Sequence, residues 1–300
     1  MQGTIIKGIA GFYYVEAEGT IYECKARGKF RNNNIIPTIG DNVIISIKEE
    51  ENSTDRYPEG TIEEILERKN RLIRPAVANV DQAMIVFSVS YPQIHLDLLD
   101  KFLIHIEQEK IEPYILLNKI DDDKASDYQY IVDRYTKVGY KVICLSAKEH
   151  INTEIIMPLL KDKTTVFAGP SGVGKSTLIN TVQENFAMET GSVSDKIKRG
   201  KHTTRHVELM PLKMGGFIVD TPGFTSLNVD VALEDLEHYF PEFRPYLGEC
   251  RYRGCAHINE TAKDCRIKLA LEEGDIIPER YESYKSFYNA IKEKEARKYK

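Results

Sequence analysis

Residues 114–122 read YILLNKIDD, and residues 169–177 read GPSGVGKST. The first is an apolar run that delivers Asn118-Lys119-Ile120-Asp121; the second satisfies G-x-x-x-x-G-K-[ST] at every fixed position. In an ordinary guanine-nucleotide domain an NKxD element follows the phosphate loop. Here it precedes the loop, and the reading of the whole chain turns on whether that order is accidental.

The phosphate loop sits where its chemistry needs it, after the strand-like TVFAG and at the opening of the helix-like STLINTV. Glycines let backbone N–H groups curl around phosphates, and a helix N-terminus adds roughly half a positive charge. The pattern makes Gly169, Pro170, Ser171, Gly172, Val173, Gly174, Lys175, Ser176 and Thr177 the phosphate-binding set. Lys175 reaches for the β/γ-phosphates, and the Ser176 hydroxyl ligates Mg²⁺.

The loop does not choose a base. A carboxylate at Asp121 can accept both the N1–H and the N2 amino hydrogens of guanine, whereas adenine offers neither donor there and would strand a buried charge. Asn118 can bond the base or the neighbouring loops, and the Lys119 stem can cover the ring. Alone, NKxD is a short match that a polar surface loop would also give. Its companions strengthen it. Ser146-Ala147-Lys148 follows the strand-like KVICL, as a second base-contacting loop would. Asp220-Thr221-Pro222-Gly223 follows GFIV, placing Asp220 near Mg²⁺ and the Gly223 N–H near the γ-phosphate. Thr203 and Thr204, in KRGKHTTRH, are candidates for the switch threonine on Mg²⁺.

The order is therefore NKID, SAK, phosphate loop, switch threonines, DTPG. Termini of compact domains lie close together, so joining the old ends and cutting just after DTPG preserves the site. This is the pattern of a circularly permuted GTPase domain. It runs the γ-phosphate-sensing DTPG directly into the C-terminal segment, which is expected to move with nucleotide state. Where many GTPases hold a water-orienting glutamine after that glycine, Phe224 stands, so hydrolysis is expected to be slow without help. His202 is the internal candidate for aligning the water; an exposed histidine in a basic loop is its plain alternative.

Around this domain, residues 1–68 read as short strands broken by glycine turns, the signature of a small barrel. Lys25, Arg27, Lys29 and Arg31 fall in one connection beside Phe30, a candidate RNA-contacting loop or simply a solvated one. Residues 69–228 alternate strand and helix patterns, implying a parallel sheet covered on both faces. Residues 229–300 are helical and charged, interrupted by Cys250-x4-Cys255-x-His257-x7-Cys265. Three thiolates and an imidazole are the ligand set of a tetrahedral structural Zn²⁺, though not at zinc-finger spacing.

The chain has 300 residues, 42% hydrophobic and 29% charged, with a net charge of −5. That composition suits a soluble protein of two or three domains and excludes a wholesale basic one. No apolar run approaches the roughly 18 residues of a membrane span, and no signal-peptide core is evident, so a cytoplasmic setting without membrane is expected. A monomer is the simplest assumption.

The ensemble NKID…SAK…GPSGVGKST…HTT…DTPGF, flanked by a barrel and a Cys-Cys-His-Cys module, resembles the RsgA (YjeQ/YloQ) family of bacterial ribosome-assembly GTPases. The resemblance covers essentially the whole chain. It implies an OB-fold N-terminal domain, a helical zinc-binding C-terminal domain, GTP hydrolysis to GDP stimulated by the 30S subunit, contact with 16S rRNA, and a role in late 30S maturation. It also implies that a hydrophobic residue at Phe224 is usual and that His202 is the catalytic group. Arg205 replaces the family's third switch threonine, so the resemblance does not choose between Thr203 and Thr204. Two competing classes are a guanine-nucleotide-binding RNA scaffold with negligible turnover, and a small-molecule phosphotransferase that would leave SAK and DTPG unexplained.

Overall fold

The computed structural model describes residues 1–32, 35–48, 57–73, 76–122, 127–189, 207–220 and 229–298. Five strands open the chain: β1 (Gln2–Ile9), β2 (Phe12–Ala17), β3 (Thr20–Ala26), β4 (Asn42–Ile47) and β5 (Glu59–Ile65). They close in the order β1-β2-β3-β5-β4, with β3 and β5 parallel, the five-stranded closed arrangement of an OB-fold. Alternating residues point inward, so Ile5, Val15, Cys24, Val43, Ile45 and Ile62 form its core.

The cationic stretch after β2 is not one exposed connection. Lys25 lies on β3, and Lys29, Phe30 and Arg31 fall in a single helical turn, α1 (Lys29–Asn32). Phe30 is buried and packs into the barrel core, and Arg27 is paired with Glu63 at 2.7 Å. An apolar ring next to an open barrel end gains more by entering the core than by facing water, so this aromatic is not available to stack a base.

A short antiparallel hairpin, β6 (Arg71–Ile73) and β7 (Ala76–Ala78), leads out of the barrel; the sequence pattern did not announce it. The Ala78 amide donates to the Ile39 carbonyl and Asn79 Nδ2 to that of Gly40, both at 2.8 Å. Arg68 grips the fully buried Asp41 through two hydrogen bonds of 2.6 and 2.8 Å. These contacts fasten the hairpin to the barrel just ahead of the central sheet.

The central unit contains β8 (Gln82–Ser88), α2 (Leu96–Gln108), β9 (Glu112–Asn118), α3 (Gln129–Val138), β10 (Lys141–Leu145), α4 (Met157–Leu160), β11 (Thr164–Ala168), α5 (Lys175–Glu189), β12 (Leu209–Pro211) and β13 (Phe217–Asp220). The sheet order is β10-β9-β8-β11-β13-β12. Five strands are parallel as the pattern implies, but β12 is an antiparallel edge strand. Every residue of β8 is buried. Ala83, Ile85 and Phe87 face one core with α2 and α3, while Met84 and Val86 face the other with α4 and α5. A strand covered on both faces reads as a continuous apolar run for this reason.

The C-terminal unit has two 3₁₀ segments, Leu233–Tyr239 and Pro241–Tyr246, then α6 (Arg266–Glu272) and α7 (Pro278–Lys298). Phe240, Phe243, Tyr281, Tyr284 and Phe287 form its core, which Ile104 of α2 also enters. Beside that contact, Arg280 and Asp100, both buried, bond through Nη1 and Oδ1.

Candidate functional site

The C-terminal ends of parallel strands, where connections diverge to either face, are where open α/β sheets bind ligands. Four such ends converge here. NKID leaves β9, SAK leaves β10, the phosphate loop leaves β11, and Asp220 ends β13, whose backbone pairs with Phe167 of β11. The register Ser88↔Asn118 and Leu145↔Asn118 brings β8, β9 and β10 to a common edge.

The phosphate loop is held open by its glycines. Gly169, Gly172 and Gly174 have φ of 137°, 80° and 97°, values that strain any other residue. A Cβ on Gly169 would lie 2.1 Å from the Val86 carbonyl oxygen, and one on Gly174 2.3 Å from Asn118 Nδ2. Val173 anchors the loop in the core below, while Ser171, Gly172, Ser176 and Thr177 are exposed. Pro170 is half-buried, and Lys175 Nζ donates to the carbonyls of Gly169 and Pro170 at 2.7 Å. The Leu178 amide donates to the Gly174 carbonyl, so α5 begins at the loop and points its N-terminus into it.

Asn118 ties loops together. Its Nδ2 donates to the Val173 carbonyl at 2.9 Å, and its Oδ1 accepts from the amides of Lys119 and Ala147 at 2.8 and 3.0 Å. These bonds serve the bracing role. Lys119, at φ 69°, donates from Nζ to the carbonyls of Gly172 and Tyr91, so its stem lies along the phosphate loop. Ser146 is buried, its Oγ accepting from the Glu149 amide; the Ala147 carbonyl accepts from Thr181. Lys148 is exposed beside Glu149, which with the nearby Asp121 and Asp122 raises its ammonium above its usual range.

Asp121 differs from all of these. Its Oδ1 is buried and has no hydrogen-bond partner. It lines a cleft of about 530 Å³ with Asn118, Lys119, Ala147, Lys148, Gly174 and Thr177. A desolvated carboxylate oxygen left unpaired is costly, and a donor entering this cleft would satisfy it. Guanine fits such an acceptor; adenine does not. His202, Thr203, Thr204 and Gly223 lie outside the described residues, as does the side chain of Asp220.

The cysteine cluster does assemble. The candidate ligand atoms of Cys250, Cys255, His257 and Cys265 all lie within 4.8 Å of one another. His257 Nδ1 faces the three sulfurs at 3.7, 3.4 and 3.3 Å, in chain order of the cysteines. Its Nε2 bonds Glu237 Oε2 at 2.8 Å, fixing the ring so that Nδ1 is presented inward. Burial pushes the Cys255 thiol up. Burial also opposes the His257 cation and the Cys265 thiolate. Their mutual hydrogen bond outweighs it, bringing Cys265 to about 7 and, with Glu237, raising His257 to about 10. Three sulfurs and one imidazole nitrogen this close together could hold one metal ion.

The barrel and the central domain have counterparts among known protein families. Residues 65–230 match the RsgA GTPase family, and residues 2–54 match the RsgA N-terminal domain. This chain belongs to the RsgA GTPase family. A protein from Caldanaerobacter subterraneus named small ribosomal subunit biogenesis GTPase RsgA is 49% identical, over 100% of this chain and 99% of its own length. One of the same name from Alkaliphilus metalliredigens is 49% identical over 97% of this chain and 98% of its own. Among solved structures, YjeQ from Thermotoga maritima superposes with a TM-score of 0.81 at 34% identity, covering 97% of this chain and 98% of that one. YloQ, described as a circularly permuted GTPase, gives 0.77 at 38% identity, covering 98% and 95%. As a member of this family the chain is a GTP hydrolase, and its G domain is circularly permuted.

Two residues of the site escaped sequence reasoning. Glu237 stands far from the cysteines in sequence and carries no local signal. Ser90 follows β8, the one strand end at the cleft without a recognised motif.

Proposed function

We propose that the chain binds GTP and hydrolyses it to GDP in late maturation of the 30S ribosomal subunit, with the subunit stimulating turnover. The observation that carries the nucleotide reading is half-buried Asp121, with one buried and unpaired oxygen, lining a cleft together with Gly174 and Thr177. The names of its relatives support the ribosomal setting. In this reading Asp121 accepts from guanine, with Lys119, Ala147 and Lys148 around the base and Asn118 and Ser146 bracing the loops. Residues 169–177 and the Gly223 N–H hold the phosphates. Mg²⁺, which offsets phosphate charge when bound, is ligated by Ser176 and by Thr203 or Thr204, with Asp220 near it. His202 aligns the attacking water. Domains divide after residues 68 and 228, with 16S rRNA as the surface contacted, in the cytoplasm and by a monomer. Among the described residues no helix is long and apolar enough to cross a membrane.

The Cys₃His centre takes zinc in this reading. Zn–S near 2.3 Å and Zn–N near 2.0 Å at tetrahedral angles require sulfurs about 3.8 Å apart and sulfur–nitrogen separations of about 3.5 Å. The Cys250–Cys265 sulfurs stand 4.0 Å apart, and the sulfur–Nδ1 separations bracket that second value.

GTP turnover by the full chain, alone and with 30S subunits, with His202→Ala in parallel, tests the proposal. Stimulation lost in the variant supports partner and catalytic group together. Stimulation that survives removes His202 from the mechanism. Tight GTP binding with no turnover under either condition makes the chain a nucleotide-bound RNA scaffold instead.

A further inference from the structure

The segment Ser88-Val89-Ser90-Tyr91-Pro92 leaves β8 between NKID and the phosphate loop, and it is knitted to both. The Val89 amide donates to the Asn118 carbonyl at 3.0 Å. Ser88, fully buried at the end of the central strand, takes the Ser90 amide on its Oγ and donates to the Tyr91 carbonyl, both at 3.2 Å. That carbonyl also receives Lys119 Nζ. Pro92 Cδ lies 3.7 Å from where a Cβ on Gly172 would stand. From this frame Ser90 Oγ reaches across to Asp122 Oδ2 at 2.6 Å.

Asp122 closes the NKID turn, its amide donating to the Lys119 carbonyl at 3.2 Å. Asp121 sits inside that turn, with one oxygen buried and unpartnered. The inner end of the turn is fixed by Asn118; the Ser90–Asp122 bond fixes the outer end. A short hydroxyl-to-carboxylate bond is among the stronger hydrogen bonds, and here its donor is rooted in the most buried strand of the sheet. We propose that Ser90 is a positioning residue for guanine specificity, acting through Asp122 to hold the Asp121 carboxylate in line with the two donors of the base. Ser90 lies outside NKID, SAK, the phosphate loop and DTPG. The inference rests on Asp121 being the guanine acceptor, which Asp121→Ala tests separately.

Inosine lacks the exocyclic amino group and can donate only N1–H to the carboxylate. The ratio of GDP to IDP affinity therefore reads the alignment of Asp121, and general loosening of the protein does not move it. Affinities of the full chain for both nucleotides are measured by calorimetry for wild type, Ser90→Ala, Asp122→Ala and the double variant. Hydrogen bonds to a charged group correspond to roughly tenfold or more in affinity. The expected result is a GDP:IDP ratio of about tenfold or more in wild type, falling at least about threefold in each single variant. The double variant should be no worse than Asp122→Ala alone, since Ser90 acts only through that carboxylate. A ratio held at the wild-type value, or effects that add in the double variant, overturns the role of Ser90. If Asp121→Ala itself keeps the guanine preference, the base reading fails and this inference with it. Loss in Asp121→Ala with an unchanged ratio in Ser90→Ala sinks the strut alone.

Discussion

Asp100→Ala tests how the C-terminal unit is held. Asp100 is fully buried on α2, and its Oδ1 accepts from Tyr135 Oη at 2.7 Å and from Arg280 Nη1. Arg280 also bonds Glu242 through Nε at 2.6 Å. Burial works against the Arg280 charge, but Asp100 and Glu242 hold it well above the usual guanidinium range. Alanine leaves that guanidinium with one carboxylate and strips the Tyr135 hydroxyl of its acceptor. Breaking a buried ion pair from one side costs about 3–5 kcal/mol, of which an orphaned hydroxyl accounts for about 1–3. Urea unfolding followed by circular dichroism, at matched zinc, should register a loss in that range. In native-state hydrogen exchange the α7 amides should lose more protection than those of β8 and β9. A loss below about 1 kcal/mol, the level of an exposed pair, would refute the reasoning that this pair is buried and structurally required.

Gly174→Ala should abolish measurable GDP binding and lower the melting temperature without nucleotide, since the new Cβ meets Asn118 Nδ2 and the φ of 97° strains an alanine. Glu237→Gln should lower zinc affinity about 10–100-fold, read by competition with a chromophoric chelator, because the His257 ring loses its charged orienting partner. Burial holds the His105 imidazole below its ordinary 6.5. Above that pH both folded and unfolded chains hold it neutral and nothing changes. As pH falls below it, the unfolded chain takes up a proton that the folded one resists, and stability declines. His105→Gln should flatten the acid side of the stability profile over that window.

The fold was legible where side-chain period and backbone chemistry coincide. The apolar run from Gln82 to Ser90 reads in sequence as a buried strand, and Leu99, Phe102, Leu103 and Ile106 fall at helical spacing on the face of α2 that meets the sheet. The opposite face of α2 was not legible. Asp100 and Ile104 lie outside that set of positions, and the C-terminal unit packs over them. The phosphate loop, NKID and the ligand set of the metal centre were readable because their chemistry fixes local spacing. Glu237 and Ser90 act across long sequence separations, so no local pattern records them. Phe30 misled for a related reason: an aromatic among cations looks the same in sequence whether it points outward or plugs a barrel.

Permutation alone suggests that nucleotide state swings the C-terminal segment, because DTPG runs straight into it. The buried contacts argue otherwise. Ile104 enters the C-terminal core, Arg134 Nη2 approaches Ser283 at 3.3 Å, and Arg280 is shared between Asp100 and Glu242. Separating that pair returns both charges to water and costs little by itself; the cost of a swing is the apolar surface around Ile104 that it would expose. A ligand shifts an equilibrium only by its differential affinity, and coupling between sites is typically about 1–3 kcal/mol. A swing of the whole unit would require the γ-phosphate to offset the exposure of that shared core. The C-terminal unit should travel with α2 as one body, and hydrogen exchange along α7 should match between GDP and a non-hydrolysable GTP analogue. A difference along α7 that Asp100→Ala enlarges would show instead that the ion pair is a latch opened by the triphosphate.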